Sequence, residues 1–168
     1  MLWDHYVFRR GNGVHELWDR LFEKRPVRLL YIAGRGFDVR AQPVMQEMVN
    51  SLQASGRNIE SAQLLLVGFT DYELEEEIAQ LTEENAVCLE AIFAPLGAVK
   101  NIPIGSSSNG EDDISASTAL SMGIRAVLEE VTDQTDIVLD VSSLPRVAYL
   151  ALMTSLLNRL IPDKNVSK

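Results

Sequence analysis

Short apolar runs that alternate with helical patterns constrain the fold of this chain more than any other feature. The clearest run is VRLLYIA at residues 27–33, which lies between Pro26 and Gly34. An uninterrupted apolar run of this length is typical of a strand that is covered on both faces. We therefore expect residues 27–33 to form a central strand of a sheet.

Three further runs have the same character. They are QLLLVGF at residues 63–69, a modest run at residues 99–104, and DIVLDV at residues 136–141. Each run is followed or preceded by apolar residues at helical spacing, and the last is followed by a helical pattern from about Pro145 to Leu160. Four such alternations predict a Rossmann-like three-layer α/β/α fold with a mainly parallel sheet of four or more strands.

The helical segments have recognisable starts. Thr70 or Asp71 can cap the helix after the second run, and Ser115 or Ser117 can cap the helix before the fourth. AVCLEAIF at residues 86–93 could be a helix or a strand, and we favour a helix that places Cys88 on an apolar stripe.

Residues 1–26 form a separate segment that is rich in aromatic side chains. A short helix is expected over residues 16–24, and the segment would then cover the sheet edge or another subunit. Its aromatic residues are Trp3, Tyr6, Phe8, Trp18 and Phe22. Residues 27–168 are long enough for one Rossmann-like domain, which can also be the N-terminal part of a longer protein.

Composition excludes several classes of protein. The chain has no run of about 18 apolar residues and no secretion signal, so we expect a cytoplasmic protein without a membrane partner. The single cysteine, Cys88, excludes an internal disulfide, and only His5 and His15 accompany it. We expect no metal and no cofactor. The acidic residues 111–113 could hold a metal, but a solvated loop is the more usual role of such a run.

The charge is unevenly distributed. A net charge of −9 disfavours general nucleic-acid binding, which requires a basic surface. Residues 1–57 nevertheless hold nine Lys/Arg and six Asp/Glu, a net +3, while residues 58–168 hold six and eighteen, a net −12. Composition therefore allows an anion site in the first part of the chain.

Glycine and hydroxyl side chains follow every predicted strand. The sequences are GRGFDVR at 34–40, GFTD at 68–71, GSSS at 105–108 and SSLPR at 142–146. In open parallel sheets, ligands bind beyond the carboxyl ends of the strands. We therefore expect the residues of these four turns to surround a ligand.

The first of these turns has only part of a known motif. Val39 stands where a dinucleotide fingerprint has its third glycine, and no Gly-Lys-Ser/Thr ending makes it a P-loop. Gly34 and Gly36 still allow another group to approach the main chain closely. Arg35 and Arg40 can donate to a phosphate or carboxylate. Alternatively, the glycines only form a tight turn and Asp38 pairs with an arginine.

The last turn leads into a helix. Pro145 suits a first helical turn, whose free amides could face an anion together with Ser142 and Ser143. Arg146 is unfavourable there because a cation at a helix N-terminus opposes the dipole, so it should have an anionic partner. That partner is either an internal carboxylate, Asp38 or Asp140, or a bound phosphate.

Asp140 also needs a partner. If it shares a face with Val138 it is partly buried, and a buried carboxylate must be bonded. Pairing with Arg35 or Arg40 is the simplest arrangement. A role as a general acid or as a metal ligand is the alternative.

Two stretches carry a family resemblance. YIAGRGFDVR at 31–40 and IVLDVSSLPR at 137–146 resemble the Rossmann-like CARF and SAVED ligand-sensing domains of bacterial defence systems. The resemblance implies binding of a nucleotide or cyclic oligonucleotide within an antiviral system, with Ser142, Ser143 and Arg146 at the ligand. Leu144 and Pro145 replace the glycines that such domains often have in this turn.

We therefore predict a nucleotide- or phosphate-binding domain that acts as a sensor or subunit, with a protein partner or as a homo-oligomer. The predicted ligand-binding residues are Gly34, Arg35, Gly36, Phe37, Asp38, Arg40, Gly68, Ser142, Ser143 and Arg146. One alternative is an enzyme that cleaves a nucleotide or nucleoside with Asp38 or Asp140 as base or nucleophile. Another is a structural subunit without a small ligand.

Overall fold

A computed structural model describes residues 9–22, 25–54, 57–70, 74–105 and 115–161, and within them helices and strands alternate. The helices are α1 (Asn12–Phe22), α2 (Ala41–Gln53), α3 (Glu76–Phe93), α4 (Ala116–Glu129) and α5 (Arg146–Leu160). The strands are β1 (Val27–Gly34), β2 (Ile59–Phe69), β3 (Ala98–Ile104) and β4 (Asp136–Leu139).

The four strands form one parallel sheet in the order β3-β2-β1-β4. The chain steps outward from β1 to β3 and then returns to place β4 on the other side of β1. One core joins α1, α2 and α3 to one face of the sheet, and a second core joins α4 and α5 to the other. The predicted three-layer α/β/α fold is confirmed.

β1 is the central strand, as predicted. All of its residues except Arg28 are buried. Leu29 and Tyr31 belong to the core under α2 and α3, while Leu30 and Ile32 belong to the core under α4 and α5. Both faces of β1 are therefore covered, and this explains why its sequence is apolar without alternation.

Two strands have bounds that differ by more than one residue from those expected. β2 begins at Ile59 rather than at residue 63, because its first residues pair with β1 alone and Glu60 binds Arg28 at 3.0 Å. β4 ends at Leu139 rather than at residue 141 and is only half-buried. As an edge strand it has a neighbour on one side only.

Helix α3 confirms the helical interpretation of residues 86–93, but two details of it were predicted wrongly. Cys88 is exposed, because Asn85, Ala86, Leu89 and Phe93 form the buried face. The N-cap is Glu75 rather than Thr70, whose N–H instead bonds the carbonyl of Ile104 at 2.9 Å. Thr70 thereby ties the end of β2 to β3.

The other helix starts agree with the prediction to different degrees. Ser115 caps α4 as predicted, with its hydroxyl accepting the Thr118 N–H. Helix α1 begins at Asn12, before the expected residue 16. Pro145 is the N-cap of α5, one position before its first turn. Several predicted features lie outside the described residues: Trp3, His5, Tyr6, Phe8, Asp71, the turn at 106–108 and the acidic run at 111–113.

Among the described residues, no helix combines the length and the apolar character needed to cross a bilayer.

Candidate functional site

The turns after β1 and β4 meet at the carboxyl edge of the sheet, where the strand order reverses. A Cβ placed on Gly34 would lie 2.3 Å from the Ser143 carbonyl oxygen, and one on Gly36 would lie 3.1 Å from it. The Ser143 hydroxyl donates to the Asp38 carbonyl at 3.3 Å. The structure thus brings together two of the predicted turns, although about a hundred residues separate them.

This convergence also closes part of the expected ligand site. The main chain of Ser143 and Leu144 packs directly on Gly34, and the Leu144 side chain is buried in the core under α5. Gly34 therefore permits a close approach, but the group that approaches it is the main chain of Ser143 and Leu144 rather than a ligand. The space at the carboxyl edge that stays open lies beside this contact, toward β2 and β3.

Two adjoining cavities occupy that open space. The larger, of about 420 Å³, is lined by Arg35, Leu66, Gly68, Phe69, Thr70, Leu74, Thr82, Asn101, Ile102 and Pro103. The smaller, of about 120 Å³, is lined by Arg35, Gly36, Phe37, Phe69, Leu74, Thr82, Ser143 and Pro145. Four residues line both, so the cavities form two lobes of one crevice that runs from β3 to the start of α5.

Arg35 lies where the two lobes join. Its N–H donates to the Val67 carbonyl at 2.8 Å, which fixes the backbone beside β2. Its guanidinium pairs with Glu83 of α3 and donates to Asn101 Oδ1 at 3.4 Å. About a third of the Arg35 side chain is exposed, so the pair with Glu83 leaves part of the cation on the wall of the crevice.

Asp38 and Arg40 pair with each other instead of facing the crevice. The Arg40 N–H donates to Asp38 Oδ1 at 2.9 Å, and its guanidinium binds the same carboxylate. This hydrogen-bonded guanidinium lowers the pKa of Asp38 to about 2. The interpretation in which Asp38 pairs with an arginine is confirmed, and neither residue lines either lobe.

Asp140 is buried, as predicted, but its expected partners were wrong. Its Oδ2 accepts the Tyr31 hydroxyl at 2.9 Å, and its Oδ1 accepts the Ser142 N–H at 2.8 Å. The reason is the sheet register: β1 carries Tyr31 beside β4, whereas Arg35 lies beyond the end of β1 and turns toward α3. Burial, together with the Asp140 carboxylate, raises the pKa of Tyr31.

Asn85 holds the turn after β1 in place, and the sequence analysis missed it. Its buried amide donates to the Gly36 carbonyl at 2.6 Å and to the Asp38 carbonyl at 3.4 Å. Its oxygen accepts from Gln42 of α2 at 2.7 Å. The available signal was an amide side chain next to Ala86 on the apolar stripe of α3, since a buried amide must find partners.

Arg146 is exposed at the first position of α5 and forms no hydrogen bond or ion pair within the part of the chain that the structure describes. The internal pairing with Asp38 or Asp140 is therefore wrong, because Arg40 and Tyr31 occupy those carboxylates. The first turn of α5 contains no acidic residue, and its N-cap makes no side-chain hydrogen bond. The electrostatic potential at this end of the helix is therefore positive.

The remaining predicted residues divide between the crevice and its surroundings. Gly36, Phe37 and Ser143 line the smaller lobe, and Gly68 lines the larger. Ser142 lines neither lobe, because its N–H turns to Asp140. The described ranges contain no group of three His, Cys, Asp or Glu that could hold a metal ion.

Comparisons with known proteins do not identify a function for this site. No protein-family model, no curated protein and no solved structure matches the chain.

Proposed function

We propose that this chain binds a nucleotide, or another small molecule that bears a phosphate, in the crevice at the carboxyl edge of its sheet. One observation carries the proposal: the crevice connects an apolar lobe to the start of α5, where Arg146 carries a positive charge without a carboxylate partner among the described residues. On this proposal the protein is a sensor or a subunit.

The larger lobe suits the base of a nucleotide. Its volume of about 420 Å³ lies within the range of roughly 300–1,000 Å³ that is usual for small-molecule sites. Phe69 and Leu74 provide apolar surface on which a flat ring can pack, and aromatic side chains stack well on bases. Asn101 and Thr82 add an amide and a hydroxyl that can recognise the edge of the ring.

The smaller lobe suits the phosphate. It is lined by Gly36, Ser143 and Pro145, so it adjoins the start of α5. The amides of Ala148 and Tyr149 already donate to the Pro145 carbonyl, so the amides that face a ligand here are those of Arg146 and Val147. Amides at a helix N-terminus together with a nearby guanidinium form the usual environment of a protein-bound phosphate. Arg35 lies between the two lobes and can reach toward either part of the ligand.

Binding has more support than cleavage, because the two carboxylates that could serve as base or nucleophile are already engaged. Asp38 binds Arg40, Asp140 binds Tyr31, and neither lines the crevice. The bacterial defence context rests on the resemblance of residues 31–40 and 137–146 to CARF and SAVED domains. Of the residues that this resemblance assigns to the ligand, Ser143 lines the smaller lobe. Arg146 lines neither lobe, but it directly follows Pro145, which lines the smaller one.

A thermal-shift experiment tests the proposal. Inorganic phosphate, mononucleotides, dinucleotides and cyclic oligonucleotides are each added to the protein, and the midpoint of unfolding is measured. A ligand at a hundred times its Kd should stabilise the fold by about 2.7 kcal/mol, and the midpoint should rise by roughly 5–10 °C. Arg146→Ala should abolish the rise while the unliganded midpoint stays unchanged.

Arg125→Ala is the matched control. Arg125 is an exposed arginine on α4 that pairs with Glu129 in the next turn, and it lines neither lobe, so its loss removes the same charge outside the crevice. This variant should keep the full ligand-dependent rise. The proposal is wrong if none of the compounds stabilises the protein, or if Arg146→Ala and Arg125→Ala respond alike.

A further inference from the structure

Arg35 is the only charged residue among those that line the crevice in the described part of the chain. The others have apolar side chains, a hydroxyl group or an amide, or are glycine. The Arg35 guanidinium is therefore the group inside the crevice that can bind the charged part of a ligand. This guanidinium already has a partner, Glu83 of α3, which lines neither lobe.

The pair with Glu83 uses only part of the guanidinium. Its Nη2 pairs with one oxygen of Glu83, its Nη1 donates to Asn101 at 3.4 Å, and its Nε–H has no acceptor among the described residues. In contrast, Arg25 binds Asp136 through both Nη atoms. The Asp136 side chain is 11% exposed, whereas that of Glu83 is 62% exposed. The pair of Arg35 with Glu83 is thus a single-point contact at the surface.

We propose that Glu83 occupies Arg35 when no ligand is bound, and that the phosphate of a bound nucleotide displaces it. This role of Glu83 rests on the proposed function and adds to it the residue that sets the affinity. A planar guanidinium binds a phosphate through two parallel hydrogen bonds, one more than it makes with Glu83. The displaced carboxylate is already more than half exposed, so water can solvate it without a change in the fold.

The strength of the internal pair determines the size of the effect. An exposed ion pair changes an equilibrium by about 1.5- to 5-fold. Glu83 therefore competes strongly enough to weaken phosphate binding measurably, and too weakly to prevent it. A carboxylate that only stabilised α3 would have no such effect on a ligand.

The chain contains a closely matched pair for comparison. Arg28 pairs with Glu60 at 3.0 Å, and the Arg28 side chain is 34% exposed, against 33% for Arg35. Arg28 lies near the start of β1 and Arg35 directly follows its end, so the two pairs lie at opposite ends of one strand. Neither Arg28 nor Glu60 lines the crevice. Glu60→Gln therefore removes the same charge as Glu83→Gln, but away from the ligand.

The test compares dissociation constants, measured by titration calorimetry at fixed ionic strength. The probes are the four ribonucleoside monophosphates, each paired with its nucleoside, which lacks the phosphate. Glu83→Gln should bind the monophosphates about 2- to 5-fold more tightly than the native chain, because the competing charge is gone. Its affinity for the nucleosides should stay unchanged. Glu60→Gln should match the native chain with every probe, and Arg35→Ala should bind the monophosphates about tenfold more weakly.

A gain of affinity separates this role from a structural one. Loss of an ion pair that only stabilises the fold would lower the midpoint of unfolding without tightening binding. The role of Glu83 alone is disproved if the native chain binds the monophosphates and Glu83→Gln binds them no more tightly, or if Glu60→Gln gains as much. Binding of no probe by either chain disproves it too, and the wider thermal-shift panel then decides whether the proposed function fails with it.

Discussion

At the scale of single residues, the shape of the crevice depends on side chains that do not line it. Asn85 is the clearest case, because one buried amide binds two carbonyls of the turn after β1 and also joins α3 to Gln42 of α2. The position of Gly36, and with it the floor of the smaller lobe, follows from these bonds.

Asn85→Leu should therefore destabilise the protein by about 2–3 kcal/mol, because it leaves the half-buried Gly36 carbonyl and the Gln42 amide without their partner. The free energy of unfolding in urea measures this loss. Gln80→Leu is the control: Gln80 lies on the same helix, is exposed and donates to Glu84 one turn later, so we expect a change below about 0.5 kcal/mol. Equal stability of the two variants would show that Asn85 does not hold the turn.

At the scale of elements, the contact between the two converging turns depends on a missing side chain. The residue that ends β1 is glycine, and the main chain after β4 occupies the volume that a Cβ would need. A methyl group at Gly34 would press on backbone atoms, which cannot move aside as the end of a flexible side chain can.

Gly34→Ala should cost about 2 kcal/mol or more in the free energy of unfolding, and it should displace the turn at 142–145. Gly68→Ala is a close control at the end of the neighbouring strand. Its Cβ would lie 3.6 Å from the Arg35 side chain, an ordinary contact, so we expect almost no loss. A Gly34→Ala protein as stable as Gly68→Ala would contradict the close packing of the two turns.

At the scale of the whole molecule, a buried tyrosine of the central strand makes the free energy of unfolding decrease at alkaline pH. Tyr31 is fully buried, and burial together with Asp140 raises its pKa above the usual value near 10. In the unfolded chain Tyr31 loses its proton near pH 10, whereas in the folded protein it stays neutral. The stability that this hydroxyl contributes is thus present below pH 10 and is lost as the pH rises beyond it.

The free energy of unfolding should accordingly fall by up to about 1.4 kcal/mol per pH unit above pH 10 because of Tyr31 alone. Chemical unfolding at pH 8, 10 and 11 measures this slope. Tyr31→Phe should be less stable at pH 8, since it leaves Asp140 with one bond fewer, and its slope should be smaller. A Tyr31→Phe protein that keeps the native slope would contradict this account.

The sequence by itself determined the layers of this protein. A strand that is covered on both faces must be apolar throughout, and a helix that covers a sheet must repeat its apolar residues every three or four positions. Both patterns are local, so β1 and α3 could be assigned from their own residues. The strand-end turns could be named for the same reason, because turns require glycine and small polar residues.

Only the tertiary structure decided what those turns contact. Whether Asp140 binds an arginine or a tyrosine depends on which residue of β1 lies opposite β4. This register cannot be deduced from the sequence of either strand alone. The closing of the switch point by Ser143 and the binding of the Gly36 carbonyl by the Asn85 amide likewise arise between segments distant in sequence. They follow from packing, which depends on all of the neighbouring elements at once.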